Sequence, residues 1–463
     1  MPQYRDPIHG YIYVSEEEQK IIDSPPFQRL RNIKQLSTTY LVYHGAEHTR
    51  FGHSIGVMHL VSRVFDAVTA DNRHIFSNDY KENESKKKWY RQILRLIALT
   101  HDLGHAPFSH ASEELFPFDP KSIGNSKRLK HEHYTEMIIK AEPISSFISE
   151  IEKKLNEEIK EEFDIESCDL YKITPDLLSE IYSGSFENCT GISIKDPDIV
   201  FLKVFMDSGL DCDKMDYLLR DSYYCGVTYG KYDLNRFISV LRLHRDKDTK
   251  KLDLLICSSG IQALEEFILA RYFMFIQVYF HRTRRYFDKL LVDSLTELLS
   301  VDDKLDGTFP EDISEYLLWD DVKVLQEMKN SSNEANNTKT KQYLSRTHMT
   351  CVYESPAHST EANTKLVKNI FNGLEEKFKD TIFLFDEVDA QAHKMLLPKQ
   401  TGSSNDKNSI QVIDKNNGNI SDVLKSSLIL EGIIKNISIC RIYTTINNDN
   451  KKEIEEFINS RRI

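Results

Sequence analysis

Apolar residues recur at helical spacing through most of residues 15–300, and this pattern predicts a mainly helical region. Ser15 and Glu18 form a capping-box pattern, in which each side chain bonds the backbone of the other residue at a helix start. A first helix is therefore predicted over residues 19–23. Two consecutive prolines follow, and we expect them to end it.

Three further segments carry a helical pattern. One helix is predicted to begin near Phe27. Residues 91–100 (RQILRLIALT) form a strongly apolar pattern that runs directly into His101. Residues 261–300 predict a long helical stretch that is rich in aromatic side chains.

The pattern changes after residue 375. Residues 380–385 (DTIFLF) and 439–446 (ICRIYTTI) are short runs typical of β-strands, and residues 452–458 (KEIEEFI) are typical of a closing helix. These segments predict a small α+β lobe at the carboxyl end.

Two polar segments, residues 70–88 and 329–341, are predicted to be weakly structured. The expected fold class is therefore mainly α. A helical core would occupy residues 1–300, and a C-terminal region over residues 301–463 would contain a linker and the small α+β lobe.

The composition is that of a soluble globular protein, since 40% of the residues are apolar and 29% are charged. The formal net charge of -12 disfavours nucleic acid as a partner, because an acidic surface repels phosphates. A local basic pocket can exist inside an acidic protein, so small anionic ligands are not excluded.

The seven cysteines are scattered and include no CxxC pair, which disfavours zinc-ribbon and redox motifs and fits a reducing compartment. The amino-terminal segment MPQYRDPIHG lacks the apolar stretch of a signal peptide. No apolar run approaches the length of a membrane-spanning helix. We therefore expect a cytoplasmic protein without a membrane partner.

The strongest chemical signal is THDLGHAPFSH at residues 100–110. An apolar helix delivers His101 and Asp102 consecutively, His105 follows about one turn later, and His110 follows a bend. Four titratable groups at the end of a buried helix are costly unless something compensates them. A divalent cation is a natural compensation, because it binds imidazole and carboxylate together.

Further ligands would come from distant segments, namely His53 in HTRFGHS and Asp213 in an acidic helix. With His101 and Asp102 they give two imidazoles and two carboxylates, a set that suits Mn, Fe, Zn or Mg and leaves positions open for water and a phosphate oxygen. A lone histidine in a helix is more often a packed or surface residue, and this alternative stays open for His53.

Residues 211–221 place Asp213, Tyr217 and Asp221 at positions i, i+4 and i+8, so these residues share one helix face, with Lys214 beside it. Taken alone, such a pattern is more often a solvated amphipathic helix. The functional interpretation makes Asp213 a metal ligand and gives Lys214 and Tyr217 contacts with phosphate or sugar.

An ordered series of motifs extends over about residues 4–290. The motifs are DPIHG (6–10), FQRLRNIKQL (27–36), HTRFGHSIGV (48–57), THDLGHAPFSH (100–110), HEH (131–133), LDCDKMDYLLRD (210–221) and the aromatic helix from Arg271. This series resembles the HD-domain superfamily, and specifically its deoxynucleoside triphosphate triphosphohydrolases. The nearest members in pattern are bacterial enzymes and the catalytic core of the vertebrate sterile-alpha-motif and HD-domain enzyme. The resemblance implies an HD-domain helical core.

This family converts a deoxynucleoside triphosphate (dNTP) to a deoxynucleoside and inorganic tripolyphosphate, by metal-assisted attack of water on the α-phosphorus. The resemblance implies that the metal ligands are His53, His101, Asp102 and Asp213. It also implies that the triphosphate is held by Arg50, Lys214, Tyr217 and Arg271.

The resemblance further implies that His105, His110 and His131 line the α-phosphate. His110 would protonate the 5′-oxygen leaving group or orient the attacking water. Glu113 lies one helical turn beyond His110 and would orient its imidazole, although the vertebrate pattern has Asp at this position.

A sugar pocket is implied in the same way. Gln35 and Asp221 would bond the 3′-hydroxyl, and Leu36 and Tyr279 would crowd the 2′ position so that a ribonucleotide clashes. Leu36 and Tyr279, taken alone, are more often core residues.

Some members of the family are regulated by nucleotides bound between subunits. Asp23, Gln28 and Arg31 partly match positions that recognise a guanine base at such a site, and helix-surface salt bridges explain these residues equally well. By analogy we expect an activating GTP or dNTP and a homo-oligomer, either a dimer or a tetramer.

Two other functions stay open at this stage. One is hydrolysis of a cyclic or signalling nucleotide by the same type of centre. The other is a non-catalytic protein that binds nucleotides or single-stranded nucleic acid, which the complete set of four candidate ligands disfavours.

Overall fold

The computed structural model describes residues 1–70, 74–120, 122, 127–164, 171–183, 196, 198–301, 306–331, 338–390, 410–433, 436–445 and 451–461. The α-helices of these residues are α1 (Glu16–Asp23), α2 (Pro25–Gln28), α3 (Arg50–Ala70), α4 (Tyr80–Thr100), α5 (His131–Lys140), α6 (Ile144–Phe163), α7 (Pro175–Ser183), α8 (Cys212–Cys225), α9 (Leu234–Val240), α10 (Ile261–Met274), α11 (Arg282–Val301), α12 (Ile313–Tyr316), α13 (Asp321–Ser331), α14 (Thr338–Leu344), α15 (Glu361–Lys377), α16 (Leu428–Ile433) and α17 (Lys451–Asn459).

Small sheets accompany this mainly helical fold. Strands β1 and β2 form a hairpin, β3-β4-β7-β8 form a second sheet, and β5-β9-β6 form a third. All neighbouring pairs are antiparallel except β4 and β7, which are parallel. The strands are β1 (Gln3–Asp6), β2 (Gly10–Tyr13), β3 (Leu241–Arg245), β4 (Leu252–Cys257), β5 (Thr350–Glu354), β6 (Phe383–Ala390), β7 (Gln411–Ile413), β8 (Ile420–Asp422) and β9 (Ile437–Thr444).

Helix α3 lies at the centre of the molecule and packs against both α4 and α8. It is apolar on most sides, and its buried side chains include Ile55, Val57, Met58 and Leu60. A helix that is apolar all round is buried all round, which places its first turn inside the protein. The functional residues of that turn therefore lie in the interior.

The capping box predicted at Ser15 is confirmed, and α1 begins directly after it at Glu16, earlier than the predicted start at residue 19. The Ser15–Glu18 capping box is present: the Glu18 backbone N–H donates to Ser15 Oγ at 3.0 Å, and the Ser15 N–H donates to Glu18 Oε2 at 2.9 Å. The helix predicted from Phe27 is wrong in detail, because Pro25 begins helix α2 and a 3₁₀ turn follows over Arg29–Asn32. Proline fits the first turn of a helix, where its missing N–H is not needed.

Two polar segments are more ordered than predicted. Within residues 70–88, helix α4 begins at Tyr80, because Asp79 caps it by accepting the Glu82 backbone N–H at 2.8 Å. Within residues 329–341, α13 extends to Ser331 and α14 begins at Thr338. Residues 71–73 and 332–337 lie outside the described part of the chain.

The aromatic stretch over residues 261–300 is helical as predicted, but it is not one helix. Helix α10 ends in a π-helical segment, Phe275–Tyr279, and α11 starts anew at Arg282. Widened turns of this kind occur frequently at functional sites. Strands β3 and β4 were not predicted, since the whole region was expected to be helical.

The small α+β lobe is present at the carboxyl end. Strands β6 and β9 form at the two β-like runs, and α17 forms at the last predicted helix. Helices α15 and α17 cover this sheet through a separate apolar cluster that includes Ile370, Leu374 and Ile454. Strand β5 and helix α15 were missed by the sequence analysis.

The described cysteines Cys212, Cys225, Cys257, Cys351 and Cys440 are free thiols, and Cys168 and Cys189 lie outside the described residues. Over the described residues, the helices are all too short or too polar to cross a membrane.

Candidate active site

Three buried helices deliver the four predicted metal ligands. His53 lies in the first turn of α3, His101 and Asp102 follow the last turn of α4, and Asp213 lies in the first turn of α8. Because α3 packs against both α4 and α8, these helix ends meet at one point. His53, His101 and Asp102 are each at most 5% exposed.

The four side chains converge. His53 Nε2 lies 2.9 Å from Asp213 Oδ1 and 3.7 Å from Asp102 Oδ2. His101 Nε2 lies 3.3 Å from Asp102 Oδ1 and 3.8 Å from Asp213 Oδ1. The ligand atoms of His53, His101 and Asp102 all lie within 4.8 Å of one another. One cation could contact all four residues after small side-chain adjustments.

The environment of His101 indicates that a cation belongs here. Its Nδ1 lies 2.7 Å from the Ala98 carbonyl oxygen, which can only accept a hydrogen bond, so Nδ1 carries the proton and Nε2 presents a lone pair. That Nε2 is buried and has no hydrogen-bond partner among the described residues. A lone pair aimed at two carboxylates is unfavourable unless a positive charge lies between them. The donor set therefore fits a divalent metal.

His53 lies between two carboxylates. Its Nδ1 lies 2.8 Å from Asp216 Oδ2, and its Nε2 faces Asp213. Burial alone would lower the pKa of His53, but the hydrogen bonds to Asp213 and Asp216 outweigh burial and raise its pKa to about 10. Without a metal, the ring thus holds a proton on Nε2, in the position that a cation would take.

Asp216 and its partners were missed by the sequence analysis. Asp216 is fully buried and orients His53 in the way that a carboxylate commonly orients a metal-binding imidazole. It also bonds Arg220 at 2.7 and 2.9 Å and His9 Nε2 at 2.6 Å, and Arg220 bonds Asp6 at 2.9 Å. The motif DPIHG contributes Asp6 and His9, so its place in the ordered series has a structural reason.

A second polar cluster lies beside the four ligands and contains the predicted catalytic residues. Glu113 Oε1 lies 2.9 Å from His110 Nδ1 and 2.7 Å from His131 Nδ1. The rings of His105 and His131 stack with centroids 3.9 Å apart. His105 Nε2 lies 3.2 Å from Asp102 Oδ1 and so links this cluster to the ligand site. The hydrogen bond expected between Glu113 and His110 is present.

The charges of this cluster favour an ionised carboxylate. Burial alone would raise the pKa of Glu113, but the imidazoles of His110 and His131 outweigh burial and hold that pKa well below its ordinary value. Burial would likewise lower the pKa of His131, and its bond to Glu113 raises it instead. Glu113 is therefore held as an anion, and it makes the imidazole of His131 easier to protonate. A protonated imidazole at this position can receive a phosphate oxygen.

Both clusters open into one cavity of about 630 Å³, a volume typical of small-molecule sites. Three of the four ligand residues, His101, Asp102 and Asp213, line this cavity. His105, His110 and His131 of the second cluster line it as well. Cationic side chains in its wall are Arg50, Lys203, Lys214, Arg284 and Arg285. The wall also contains the carboxylates of Asp102, Glu132, Asp207, Asp213 and Asp221. The cavity therefore offers cations to an anionic ligand and carboxylates to a metal, without an excess of positive charge.

The residues predicted to contact the sugar lie together in this cavity. Tyr279 donates its hydroxyl to Asp221 Oδ2 at 2.7 Å, and His48 Nε2 lies 2.8 Å from Asp221 Oδ1. Gln35 and Leu36 line the same wall, and Gln35 Oε1 is buried without a hydrogen-bond partner among the described residues. An unsatisfied buried acceptor requires a donor, and a sugar hydroxyl would supply one.

Of the four residues predicted to contact the triphosphate, three line the cavity and Arg271 does not. Tyr217 and Lys214 line the cavity, and Lys214 also pairs with Asp211. Arg50 lines the cavity too, but its guanidinium bonds Asp102 and Ser109, both at 2.7 Å. Arg271 is not among the described residues that line the cavity. Its guanidinium carbon lies 5.1 Å from the centroid of the Phe275 ring.

The three residues that match an activator site make contacts within the chain. Asp23 accepts a hydrogen bond from Gln19 at 2.8 Å, Arg31 donates to Gln28 at 2.8 Å, and Gln28 donates to the Ile22 carbonyl at 2.7 Å. These contacts are hydrogen bonds with neutral groups, and so differ from the helix-surface salt bridges of the alternative interpretation. A regulatory role for them stays a prediction.

Curated relatives match a large part of this chain. An uncharacterized protein of Bacillus subtilis, YwfO, is 33% identical over 293 residues, which cover 63% of this chain and 54% of the relative. A protein of Dictyostelium discoideum named as a deoxynucleoside triphosphate triphosphohydrolase SAMHD1 homolog is 31% identical over 306 residues, which cover 65% of this chain and 51% of the relative. The chain spans about half the length of the curated relatives it matches.

Solved structures resemble the whole fold. A hypothetical protein from Aquifex aeolicus superposes with a TM-score of 0.65 at 28% identity, and the match covers 99% of both chains. A phosphohydrolase from Bacteroides thetaiotaomicron has the same TM-score at 22% identity, a likeness of fold alone, with 96% of this chain and 100% of that chain covered.

Two family matches cover part of the site. Residues 50–175, which carry His53, His101 and Asp102, match the HD domain. Residues 232–419, which carry Tyr279 and Arg284, match the HD associated region. Asp213 and helix α8 lie between the two matched ranges. Divalent metals bind to HD domains, and the cluster of His53, His101 and Asp102 lies in the range that matches one. The chain therefore contains a region that matches the HD domain, followed by a region that matches the HD associated region.

Proposed function

We propose that this protein hydrolyses deoxynucleoside triphosphates to a deoxynucleoside and inorganic tripolyphosphate. The observation that carries the proposal is the convergence of His53, His101, Asp102 and Asp213 at the wall of one large cavity, beside a cluster of three histidines. The relatives named as deoxynucleoside triphosphate triphosphohydrolases support this substrate class.

A divalent cation held by the four ligand residues, whether Mn, Fe, Zn or Mg, would polarise a phosphate oxygen and lower the pKa of a water molecule. Arg50 holds Asp102 in place through its 2.7 Å hydrogen bond, and Asp216 holds His53. These contacts fix the ligand atoms before a substrate arrives, so little reorganisation is needed during the reaction.

His110 is the proposed proton donor. The reaction forms a bond between a water oxygen and the α-phosphorus and breaks the bond from the α-phosphorus to the 5′-oxygen, which must then take up a proton. His110 bonds Glu113 through Nδ1, which leaves Nε2 as the nitrogen that can deliver that proton. His105 and His131 would contact the α-phosphate oxygens.

The sugar would lie against Gln35, Leu36, Asp221 and Tyr279. Its 3′-hydroxyl can donate to Gln35 Oε1 once the Gln35 side chain turns this buried and otherwise unsatisfied atom toward the cavity. Leu36 and the ring of Tyr279, whose hydroxyl is fixed by Asp221, would leave no room for a 2′-hydroxyl. Lys214 and Tyr217 would contact the triphosphate, and Arg271 would reach it only after a side-chain movement.

The same proposal includes activation by GTP or a dNTP. The activator would bind at Asp23, Gln28 and Arg31, between the subunits of a dimer or tetramer. The partial match of these residues to the family pattern supports it, and their contacts within the chain do not depend on it.

The test is product identification. Protein reconstituted with Mn²⁺ is incubated with each dNTP, singly and together with GTP, and the products are identified by chromatography and phosphorus NMR. Intact tripolyphosphate and a deoxynucleoside are expected. Release of pyrophosphate, or turnover of only cyclic or signalling nucleotides, would show a different hydrolase, and tight binding without any turnover would show a binding protein.

The variant Asp213→Ala tests the ligand set, because it removes one ligand from the first turn of α8. It should lose metal binding and turnover while the fold is retained, because Asp213 caps no helix and its side chain is one-third exposed. Full activity in this variant would remove Asp213 from the site.

A further inference from the structure

Residues 309–321 form a segment of the C-terminal region that lies directly against the motif carrying His105 and His110. We call it the strap. It contains helix α12 and ends at Asp321, the first residue of α13. None of its residues was a predicted site residue, and it lies more than a hundred residues beyond the motif in the chain.

The strap bonds the backbone of the histidine motif, residues 100–110, at two points and the backbone just beyond it at a third. The buried Tyr316 hydroxyl donates to the Gly104 carbonyl at 2.8 Å, and the Phe108 N–H donates to Asp321 Oδ1 at 2.7 Å. The Phe309 N–H donates to the Leu115 carbonyl at 2.9 Å. These bonds fix the middle of the motif, its last residues and the turn that follows it.

Asp321 has a second backbone donor. Its Oδ2 accepts the Lys34 N–H at 2.9 Å, and Lys34 immediately precedes Gln35 and Leu36. Phe108, the partner of the other oxygen, lies two residues before His110. One carboxylate, 3% exposed, therefore joins the loop that carries the proposed proton donor to the loop that carries the proposed sugar contacts.

The backbone at Phe108 requires such a support. Phe108 and Ser109 both have positive φ angles, 58° and 54°. Bulky residues rarely adopt this left-handed conformation, which persists only where surrounding contacts hold it. Asp321 supplies one such contact, and Ser109 supplies another by donating its hydroxyl to the Lys34 carbonyl at 2.7 Å.

We infer that Asp321 is a positioning residue: its two hydrogen bonds hold His110 and the Gln35–Leu36 wall at the separation that catalysis requires, so the HD domain needs the strap for a competent site. The inference rests on the proposed function for its kinetic readout. It acts through backbone geometry, and Asp321 does not contact the substrate.

The test uses the full chain with Asp321→Asn, and Asp320→Asn as its matched control. An asparagine at 321 keeps one acceptor but presents an N–H group to the second donor, so one of the two bonds is lost. Asp320 caps α13 by accepting the Lys323 N–H at 2.8 Å, and asparagine caps equally well. Its other oxygen accepts an exposed bond from Asn32 at 2.9 Å, and the Asn32 amide can turn to accept from an asparagine at 320. Assays at about pH 8 keep the carboxylate ionised, since burial raises the pKa of Asp321 to about 7.

Asp321→Asn should lower kcat for the dNTP on the order of tenfold to a hundredfold, with bound Mn²⁺ unchanged and KM changed much less, and Asp320→Asn should match the wild type. Tyr316→Phe, which loses only the bond to Gly104, should show a smaller loss of kcat. If Asp321 only stabilised the fold, its substitution would lower stability, but the folded variant would not lose kcat with KM nearly unchanged.

Hydrogen exchange gives a readout that needs no substrate. In Asp321→Asn, amides of residues 104–111 and 33–37 should exchange faster, while those of α3 and α8 stay protected. If the wild type hydrolyses no dNTP, the proposed function fails and this exchange pattern alone decides the inference. Unchanged exchange in both loops, or faster exchange throughout together with metal loss, would overturn it.

Discussion

At the level of single residues, metal binding depends on how hydrogen bonds fix the orientation and tautomer of the imidazoles. Two carboxylates flank His53, and a backbone carbonyl fixes the tautomer of His101. Asp216 is the residue that connects the ligand site to Arg220 and to the amino-terminal hairpin. Its effect on metal affinity can be measured separately from catalysis.

Asp216→Asn should weaken Mn²⁺ binding about tenfold to a hundredfold, because the amide cannot replace a carboxylate that orients His53 and balances Arg220. Isothermal titration of metal into the apo protein measures this. Asp221→Asn is the control on the same helix and should bind metal like the wild type. Equal affinity of both variants and the wild type would show that Asp216 does not support the site.

Glu113→Gln tests the charges of the histidine cluster. The pKa of Glu113 is depressed in the folded protein, so its ionised form contributes stability above the unfolded pKa, and that contribution is lost as the pH falls through the lower folded value. The variant should be less stable by about 1–3 kcal/mol near neutral pH, and the difference should shrink in acid. Urea unfolding at several pH values measures it, and a difference that does not change with pH would contradict this interpretation.

At the level of secondary-structure elements, the site depends on close packing between helix α5 and the histidine motif that follows α4. A Cβ atom at Gly104 would lie 2.1 Å from the His131 carbonyl oxygen and 2.3 Å from the Thr135 backbone nitrogen. The glycine therefore allows α5 to bring His131 against His105. Much of this contact is backbone, which cannot move aside without shifting the helix.

Gly104→Ala should destabilise the protein by about 1–3 kcal/mol and lower turnover, because α5 and His131 must move away. Gly432→Ala is the control, since a Cβ there meets nothing within 4 Å and the residue lies in α16. Thermal unfolding and turnover of the two variants make the comparison. Wild-type behaviour of Gly104→Ala would contradict the close packing.

The sequence predicts elements well where local signals act and poorly where partners are distant. The capping box at Ser15 and the strands at β6 and β9 follow from local pattern. The helix over residues 80–88 was missed because its polar composition hid a cap at Asp79 and buried packing of Trp89. Strand β4 pairs with β7 about 150 residues away, and such pairing leaves no local signal.

At the scale of the whole molecule, the site is assembled from all parts of the chain. The resemblance implied that residues far apart in sequence meet, and the structure brings His53, His101, Asp102 and Asp213 together. The contributions of Asp216 and Asp321 could not be predicted, because a buried aspartate in a helix or loop has no distinguishing neighbours in sequence. Their partners at His53 and Phe108 appear only after folding.

The C-terminal lobe is joined to the cavity wall through buried charges. Asp386 of β6 is fully buried and bonds Arg285, which also lines the cavity, at 3.0 Å. Arg441 of β9 donates to the Phe280 carbonyl at 2.7 Å. The lobe therefore supports the wall formed by residues 275–285, and its contribution adds to that of the strap.

A crystal structure of Mn²⁺-reconstituted protein with anomalous diffraction data tests most directly whether the four ligand residues bind one metal ion. We expect one strong anomalous peak within about 2.0–2.3 Å of His53 Nε2, His101 Nε2 and carboxylate oxygens of Asp102 and Asp213. The neighbouring cluster of His105, His110, Glu113 and His131 provides an internal comparison, since its geometry could also hold an ion. A peak at that cluster alone, or no peak between the four ligands, would contradict the account.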